Sequence, residues 1–241
     1  MRVAVIQFPG TNCEYETLVS VKSVEIDCEI FRWNRPADEL LEFDGFIIPG
    51  GFSYQDRVRA GVIASKKPIM KAIMKKAEDG CPVLGICNGA QVLIESGIVP
   101  GIEWTKVEMA LTFNRWTGFF CDWIYLKVWS KKSPFFSLFS IGDVFPIPIA
   151  HGEGRFVTQK EGLLDRLIRN EQVALRYCTE DGEIIDEFPI NPNGSVFNIA
   201  GITNKEGNVL AMMPHPERAS FAYHKSSSGI KIFEGMKFFK K

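Results

Sequence analysis

The segment VLGICNGAQVL, residues 83–93, decides how the rest of the chain folds. An aliphatic run typical of a buried strand ends at Ile86, Cys87 follows, and helical apolar spacing begins almost at once. Gly85 and Gly89 flank the cysteine as G-x-C-x-G, the thiol counterpart of the G-x-S-x-G elbow at the carboxyl edge of a sheet. Side chains at either glycine would crowd so tight a turn. The segment therefore predicts a strand that turns sharply into a helix and exposes Cys87.

A cysteine at such a turn is a candidate nucleophile. The N-terminus of a helix presents free N–H groups and positive potential, which favour a thiolate over a thiol. The alternative is that Cys87 is a small core residue at the end of a strand, as many cysteines are. Cys81 opens the same strand without flanking glycines, and we interpret it as structural.

Strands and helices alternate through the first hundred residues. Apolar runs predict strands in RVAVIQF, CEIFRW, GFIIPGG and CPVLGIC. Helical spacing predicts helices in EYETLVSVKSV, ADELLEF, VIASKKPIMKAIMKKAEDG (broken near Pro68) and GAQVLIESG. This alternation favours a parallel sheet with helices on both faces.

The pattern changes after residue 100. Aromatic and β-rich runs with turns between them predict antiparallel strands in KVEMALTFNRW, CDWIYLKVW and VFPIPIA. QVALRYC and VLAMMPH predict further strands. EGLLDRLIRN predicts a short helix, and the C-terminal SSSGIKIFEGMKFF a last one. The predicted fold is α/β, with a mostly parallel central sheet and an antiparallel β extension. We see no repeat and no linker, so we expect a single domain over residues 1–241.

The composition excludes several classes of function. With 46% hydrophobic and 24% charged residues, the 241-residue chain should form a packed core. A net charge of -1 gives no sign of a nucleic-acid or anionic-membrane surface. Apolar runs are too short to span a membrane and the N-terminus does not read as a signal peptide, so we expect a cytoplasmic protein. The six cysteines form no C-x-x-C pair and no histidine lies at ligand spacing, so we expect no metal site.

The segment PHPE, residues 214–217, can supply the rest of a catalytic triad. A cysteine nucleophile needs an imidazole base, which in turn needs an orienting carboxylate. A residue before proline is held extended, and in extended backbone residues two apart point the same way, so His215 and Glu217 should share a face. The alternative is a surface turn. His151 in AHGEGRF is the competing base, but neighbouring Glu153 lies between two glycines, so we interpret His151 as a pocket residue.

The segment PGG, residues 49–51, should end its strand at the same edge as Cys87. A glycine there lets a backbone N–H face a reacting carbonyl group, and an oxyanion hole needs two such donors. The N–H of Asn88, the residue after the nucleophile, is the natural partner of the N–H of Gly51. A Gly-Gly turn alone is weak evidence, and its predicted place beside the elbow gives it weight.

Together, GICNGAQ, PGGFSYQDRVRAG and PHPE resemble the class I glutamine amidotransferases, whose fold is flavodoxin-like. NRWTGFFCDWIYLKV at 114–128 and HGEGRF at 151–156 extend the resemblance to the branch that serves as the glutaminase of phosphoribosylformylglycinamidine synthase. The resemblance implies a triad of Cys87, His215 and Glu217 and an oxyanion hole that includes Gly51. It also implies that Gln91 contacts the substrate side chain. Gln55 departs from the pattern, since many relatives carry glycine there.

The resemblance also implies partners and chemistry outside this chain. Glutamine would be hydrolysed here, and the ammonia would pass to a large synthetase subunit that holds ATP and Mg²⁺, often with a small third subunit. The chain itself contains no G-x-x-x-x-G-K-[ST] phosphate loop, and we expect no cofactor in it. Two rival interpretations remain: an amidase or peptidase on the same fold, and a regulatory subunit with a vestigial site.

Overall fold

The computed structural model describes residues 1–116 and 118–239. It contains eleven strands over these residues, β1 to β11: Arg2–Gln7, Asp27–Arg32, Gly45–Ile48, Val83–Ile86, Ala110–Thr112, Phe120–Val128, Val144–His151, Arg155–Val157, Val173–Cys178, Ile199–Thr203 and Val209–Met212. The helices α1 to α6 are Glu14–Ser23, Val62–Ser65, Pro68–Glu78, Asn88–Ser96, Leu163–Arg169 and Ile230–Gly235. Short 3-10 helices cover Ala37–Glu42, Ser53–Asp56, Pro134–Phe136, Val196–Asn198, Pro216–Ala219 and Met236–Phe238.

Nine strands form one mixed sheet in the order β2-β1-β3-β4-β11-β10-β9-β6-β7. The five strands from β2 to β11 run parallel to one another. From β11 onward each neighbour is antiparallel, and β6 with β7 forms the longest ladder of this extension. The short strands β5 and β8 pair separately. The predicted fold class is confirmed, and one sheet that joins β1 to β11 supports the proposal of a single domain.

The parallel strands are apolar because helices cover them. All four residues of β3, of β4 and of β11 are buried, as expected for central strands of a parallel sheet. The helix predicted over residues 62–80 is broken where expected, because α2 ends at Ser65 and α3 begins with Pro68 as its first residue. The short helix predicted in ADELLEF is a 3-10 helix, Ala37–Glu42. In the described part of the chain, no helix is long and apolar enough to cross a membrane.

The strand order brings the candidate residues together. β3, β4 and β11 are neighbours and run parallel, so their carboxyl ends meet at one edge of the sheet. Residues 50 and 51 follow β3, Cys87 follows β4, and His215 follows β11. Ligand sites in open α/β sheets form at this edge.

Candidate active site

Cys87 occupies the predicted elbow between β4 and α4. Its backbone has φ 51° and ψ -107°, a conformation that costs a residue with a side chain on the order of 1–3 kcal/mol. Its N–H donates to the carbonyl oxygen of Met212 at 2.8 Å, which ties the turn to β11. The thiol is nearly buried, with Sγ 3.6 Å from the carbonyl oxygen of Ala150. The surrounding contacts hold the strained turn and present the thiol at the sheet edge.

The glycines around the elbow allow a close approach of backbone. A Cβ at residue 89 would lie 1.8 Å from the carbonyl oxygen of Ile48, so only glycine fits beside β3. Gly50 occupies the gap between the other two elements of the site. A Cβ there would lie 2.8 Å from Cε1 of His215 and 3.4 Å from Cβ of Cys87. The His215 ring therefore approaches Cys87 across a glycine backbone.

His215 and Glu217 form a buried pair. Nδ1 of His215 lies 2.5 Å from Oε1 of Glu217, and both side chains are almost fully buried. The backbone N–H of His215 donates to the carbonyl oxygen of Pro148 at 2.9 Å, which anchors the segment to β7. A carboxylate at Nδ1 places the proton on that nitrogen and leaves Nε2 free for the reacting groups. Nε2 has no hydrogen-bonding partner among the described residues.

The electrostatics of the pair favour a charged imidazole. Burial opposes the charge and would lower the pKa of His215, but the carboxylate of Glu217 and the thiolate of Cys87 outweigh it. The pKa of His215 is therefore held well above its usual value. A protonated imidazole beside a thiolate is the arrangement that cysteine hydrolases use for attack and for proton delivery.

The two predicted oxyanion donors are the backbone N–H groups of Gly51 and Asn88. Gly51 bridges Thr11 in antiparallel fashion through bonds donated by Phe52 and Asn12, so the N–H of Gly51 takes no part in that bridge. In α4 the N–H of Gln91 donates to the carbonyl oxygen of Cys87. That bond closes the first turn of the helix, so the N–H of residue 88 precedes the intrahelical ladder. The geometry is compatible with the predicted hole, which stays a prediction.

The side chain of Asn88 links the two halves of the predicted hole. Its Oδ1 accepts from the N–H of Ser53 at 3.0 Å, and its Nδ2 donates to Asp56 at 3.0 Å and to Oε1 of Gln91 at 2.8 Å. These partners fix the orientation of the amide. The loop after β3 is thereby attached to the first turn of the nucleophile helix.

The same loop stores backbone strain. Tyr54, Gln55 and Asp56 have φ of 54°, 61° and 50°, a left-handed run that costs on the order of 1 kcal/mol or more at each non-glycine position. Gln55 thus occupies a backbone conformation that glycine adopts without cost. Burial, helped by the charge of Glu153, raises the pKa of Asp56 to about 6 against the opposing effect of the hydrogen bond from Asn88.

Gln91 and His151 both line the site, and both are already hydrogen-bonded. Gln91 accepts from Asn88 and donates through Nε2 to the carbonyl oxygen of Glu153 at 2.7 Å. Nδ1 of His151 lies 3.1 Å from Oδ1 of Asn114, and Nε2 has no partner in the described chain. Burial, with help from charged His215, lowers the pKa of His151 to about 3. A neutral His151 is a poor general base near pH 7, which leaves His215 as the candidate.

A small cavity of about 140 Å³ opens over Cys87. Four predicted site residues line it: Gly51, Cys87, Gln91 and His151. The rest of the lining is Phe52, Asp56, Phe119, Ala150, Gly152 and Glu153. His215, Glu217 and Asn88 do not line the cavity. It is smaller than a drug-sized pocket and suits a small polar substrate. A larger cavity of about 430 Å³ lies at the opposite edge of the sheet, against Met1, Cys81 and Pro82. Cys81 is therefore remote from Cys87.

Three residues near the site escaped the sequence argument. Asn114 fixes His151 and also accepts from the N–H of Gly154 at 3.1 Å. Asp56 was quoted only as part of a motif. Cys13 precedes α1 and contacts the site: its N–H donates to the carbonyl oxygen of Gly50, and its Sγ accepts from Arg218 at 3.3 Å. A lone cysteine in a loop carries no sequence signal of this kind.

Comparisons with known proteins agree with this geometry. A family profile described as "CobB/CobQ-like glutamine amidotransferase domain" matches residues 1–241. The chain is 52% identical to "Phosphoribosylformylglycinamidine synthase subunit PurQ" of Methanothrix thermoacetophila, over 98% of this chain and 97% of that protein. The subunit of the same name from Pyrococcus furiosus is 44% identical, with the same coverage. A solved "Structure of PurLQS from Thermotoga maritima" superposes with a TM-score of 0.81 at 33% identity, covering 98% of this chain and 97% of that one.

Proposed function

The chain belongs to the glutaminase subunits of phosphoribosylformylglycinamidine synthase, within the CobB/CobQ-like glutamine amidotransferases, and on this premise we propose that Cys87, His215 and Glu217 catalyse its reaction. Such a subunit hydrolyses glutamine to glutamate and ammonia. The ammonia serves an ATP-dependent synthetase subunit that converts formylglycinamide ribonucleotide to formylglycinamidine ribonucleotide in purine biosynthesis. The observation that carries the residue assignment is the meeting of the Cys87 elbow and the His215–Glu217 pair across Gly50.

The proposed reaction has two halves. The thiolate of Cys87 attacks the side-chain amide carbon of glutamine, and the resulting oxyanion accepts from the N–H groups of Gly51 and Asn88. As the C–N bond breaks, the imidazolium of His215 gives its Nε2 proton to the departing ammonia. Water then attacks the thioester while His215 takes its proton, and glutamate leaves as the Cys87 thiolate re-forms. Glu217 holds the ring and stabilises its charge throughout.

The substrate cavity explains how glutamine is held in this proposal. Gln91 lines the cavity, and both ends of its side-chain amide are hydrogen-bonded within the protein. These bonds fix the amide as part of the cavity wall. In this position it contacts the bound substrate while it keeps both bonds. The neutral ring of His151 presents an unpartnered Nε2. It serves as a hydrogen-bond acceptor for the substrate rather than as a base.

A large synthetase subunit is the proposed partner of the surface around the cavity. Phe52 and Phe119 line the cavity mouth and are 58% and 69% exposed, and Val58 is 92% exposed on the strained loop. Phe113 is also largely exposed. Large apolar side chains at the mouth of a site are typical of a protein-binding surface. Residues 151–156, which belong to the conspicuous motif HGEGRF, are buried or half-buried and contribute little to it.

The remaining components are placed outside this chain. We place ATP and Mg²⁺ on the synthetase, since the chain carries no phosphate loop, and a small third subunit completes the assembly. The proposed compartment is the cytoplasm. All six cysteines are free, which suits a reducing environment and thiolate catalysis.

The experiment that tests the assignment compares two cysteine variants. Purified protein is incubated with glutamine, and ammonia and glutamate are measured. Cys87→Ala should release neither, whereas Cys81→Ala, at the remote cavity, should keep the wild-type rate. Hydrolysis by Cys87→Ala, or loss of it in folded Cys81→Ala, would overturn the assignment. Activity on other amides without any preference for glutamine would instead favour the amidase interpretation.

A further inference from the structure

A third metal-binding side chain reaches the His215–Glu217 pair. Cys13 comes from the loop between β1 and α1, yet its Sγ and ligand atoms of His215 and Glu217 all lie within 4.8 Å of one another. In residues 1–116 and 118–239, no other group of three His, Cys, Asp or Glu side chains meets this criterion. All three are buried. We propose that Cys13, His215 and Glu217 form a binding site for a zinc-class divalent cation, and that the bound ion stops glutamine hydrolysis.

The donor set selects the class of metal. A thiolate, an imidazole and a carboxylate are the ligands that Zn²⁺ takes in three-residue sites with an open fourth position. The Irving–Williams order and the thiolate disfavour Mg²⁺, Ca²⁺ and Mn²⁺. One further ligand atom of the cluster, Oε2 of Glu217, is buried without a hydrogen-bonding partner in the described chain.

The required movement is small. Bonds of about 2.0–2.3 Å at tetrahedral angles need donor atoms about 3.3–3.5 Å apart. Nδ1 of His215 and Oε1 of Glu217 are now 2.5 Å apart and would separate by under 1 Å, and Sγ of Cys13 already lies within 4.8 Å of its partner ligand atoms. The ion would replace the proton shared by the pair and the proton of the thiol.

A separate groove gives the ion a path that the substrate does not use. This groove, of about 310 Å³, is lined by Glu16, Glu217 and Arg218 among others. It shares no lining residue with the cavity over Cys87. Arg218 donates to Sγ of Cys13, and its charge is balanced by an ion pair with Glu16 at 2.8 Å.

Inhibition follows from the place of the ion and rests on the proposed function. With a dication on Nδ1, Nε2 holds the only proton of the ring, so the ring has no lone pair that could take a proton from water, and it is a much weaker acid towards the departing ammonia than an imidazolium. Because the groove and the cavity are separate, raising the glutamine concentration should not relieve the inhibition. The proposal departs from the expectation of no metal site, which rested on the lack of a C-x-x-C pair and of histidines at ligand spacing in the sequence.

Cobalt binding tests the site without any measurement of activity. Co²⁺ is added to Cys87→Ser protein, and the thiolate-to-cobalt charge-transfer band and the visible bands of tetrahedral cobalt are recorded. Both should appear. They should disappear in Cys13→Ser/Cys87→Ser and persist in the matched control Cys81→Ser/Cys87→Ser. No band in Cys87→Ser, or an undiminished band without Cys13, would overturn the proposal. If the Cys13 variant does not fold, urea unfolding of Cys87→Ser decides, because Zn²⁺ must raise its midpoint.

Inhibition by Zn²⁺ tests whether an ion at this site stops glutamine hydrolysis. The zinc concentration that halves glutamine hydrolysis should rise at least about 10-fold in Cys13→Ser relative to wild type, as expected for a lost ligand. Each variant is compared with its own rate in the presence of a chelator. An unchanged half-inhibitory concentration would overturn the regulatory part. Should the chain hydrolyse no glutamine at all, the proposed function fails, and the cobalt spectra still decide the site.

Discussion

Glu217 reaches Nδ1 of His215 at 2.5 Å from within a helical turn, not from an extended strand. His215 is extended, as the following proline requires, but Pro216–Ala219 forms a 3-10 helix. The spacing of two residues therefore brings the pair together by a turn, and the shared face of an extended segment is not the cause. The contact joins residues two apart in one local turn, and that turn is anchored to β7 through the N–H of His215 and the carbonyl oxygen of Pro148.

Replacing Glu217 with glutamine should lower turnover without unfolding the protein. The amide can still occupy the site, but it holds the imidazolium without a negative charge. In serine triads the equivalent change costs on the order of 10⁴ in rate. A thiolate is intrinsically more nucleophilic, so a smaller loss of kcat is expected here.

Titration of His215 by NMR distinguishes loss of the Glu217 charge from a general disturbance of the structure in Glu217→Gln. Burial opposes the charge on His215, and Glu217 is a main cause of its raised pKa. In Glu217→Gln the pKa of His215 should therefore fall. The matched control is Glu153→Gln, the competing carboxylate, which should leave this titration in place. Unchanged turnover in Glu217→Gln would remove this carboxylate from the mechanism.

Replacing Asn88 with leucine should release the loop that carries Gly51. The substitution removes the bonds to Ser53, Asp56 and Gln91 while leaving the backbone N–H of residue 88 in place. If the N–H of Gly51 is then lost to the oxyanion, kcat should fall about 10²–10³-fold with little change in KM, because the interaction forms in the transition state. Asn170→Leu, at the end of α5, is the remote control. A change confined to KM would mean that the amide serves only to bind substrate.

Asp56 should make stability depend on pH between about 4 and 6. Burial, the largest cause, raises the pKa of Asp56 in the folded protein to about 6, above an unfolded value of about 3.9. As pH rises through this window the unfolded chain loses its proton first, so the carboxyl increasingly destabilises the folded state. Above pH 6 the effect is constant. The Asp56→Asn variant lacks this titrating carboxyl group and keeps a hydrogen-bond acceptor for Asn88.

Urea unfolding of the wild type and of Asp56→Asn from pH 4 to pH 8 measures the contribution of Asp56 to the free energy of unfolding. The free energy of unfolding of the wild type minus that of Asp56→Asn should decrease as pH rises from 4 to 6 and then level off. A difference that stays flat, or that increases over this range, would contradict the raised pKa.

The isolated chain should hydrolyse glutamine slowly and the synthetase should accelerate it. The loop from Gly51 to Val58 is strained and exposed, so a docked partner can reset the orientation of the Gly51 peptide. One oxyanion donor is worth about 10²–10³ in rate. We expect glutamate release to rise by a comparable factor with synthetase, nucleotide and ribotide present.

Surface variants locate the docking face. Val58→Asp should weaken activation by the synthetase and leave the rate of the isolated chain unchanged. The reason is that Val58 is exposed to solvent and has no role in the proposed chemistry. Val19→Asp, at a half-exposed position on the outer face of α1, is the matched control and should be activated normally. Full activity without the partner would favour a stand-alone amidase.

The parts of the site that sequence could predict are those set by local rules. The elbow at Cys87 follows from glycine spacing, and the His215–Glu217 pair from a proline-bounded segment. The Asn88 network and the place of Cys13 could not be predicted, because each depends on how separate loops meet at the sheet edge. Gln91 shows that a motif can indicate a role without indicating the contacts around it. Its motif indicates substrate contact, but its two hydrogen bonds within the protein depend on the fold.

The most direct test of the central claim is to identify the atom that glutamine acylates. The protein is incubated with a glutamine-analogue electrophile, digested, and each cysteine-containing peptide is weighed by mass spectrometry, with excess glutamine as competitor. The account predicts one adduct, on Cys87, that glutamine suppresses and that Glu217→Gln forms more slowly. An adduct on Cys13 or Cys121 with Cys87 unmodified, or labelling of Cys87 that glutamine does not suppress, would contradict it.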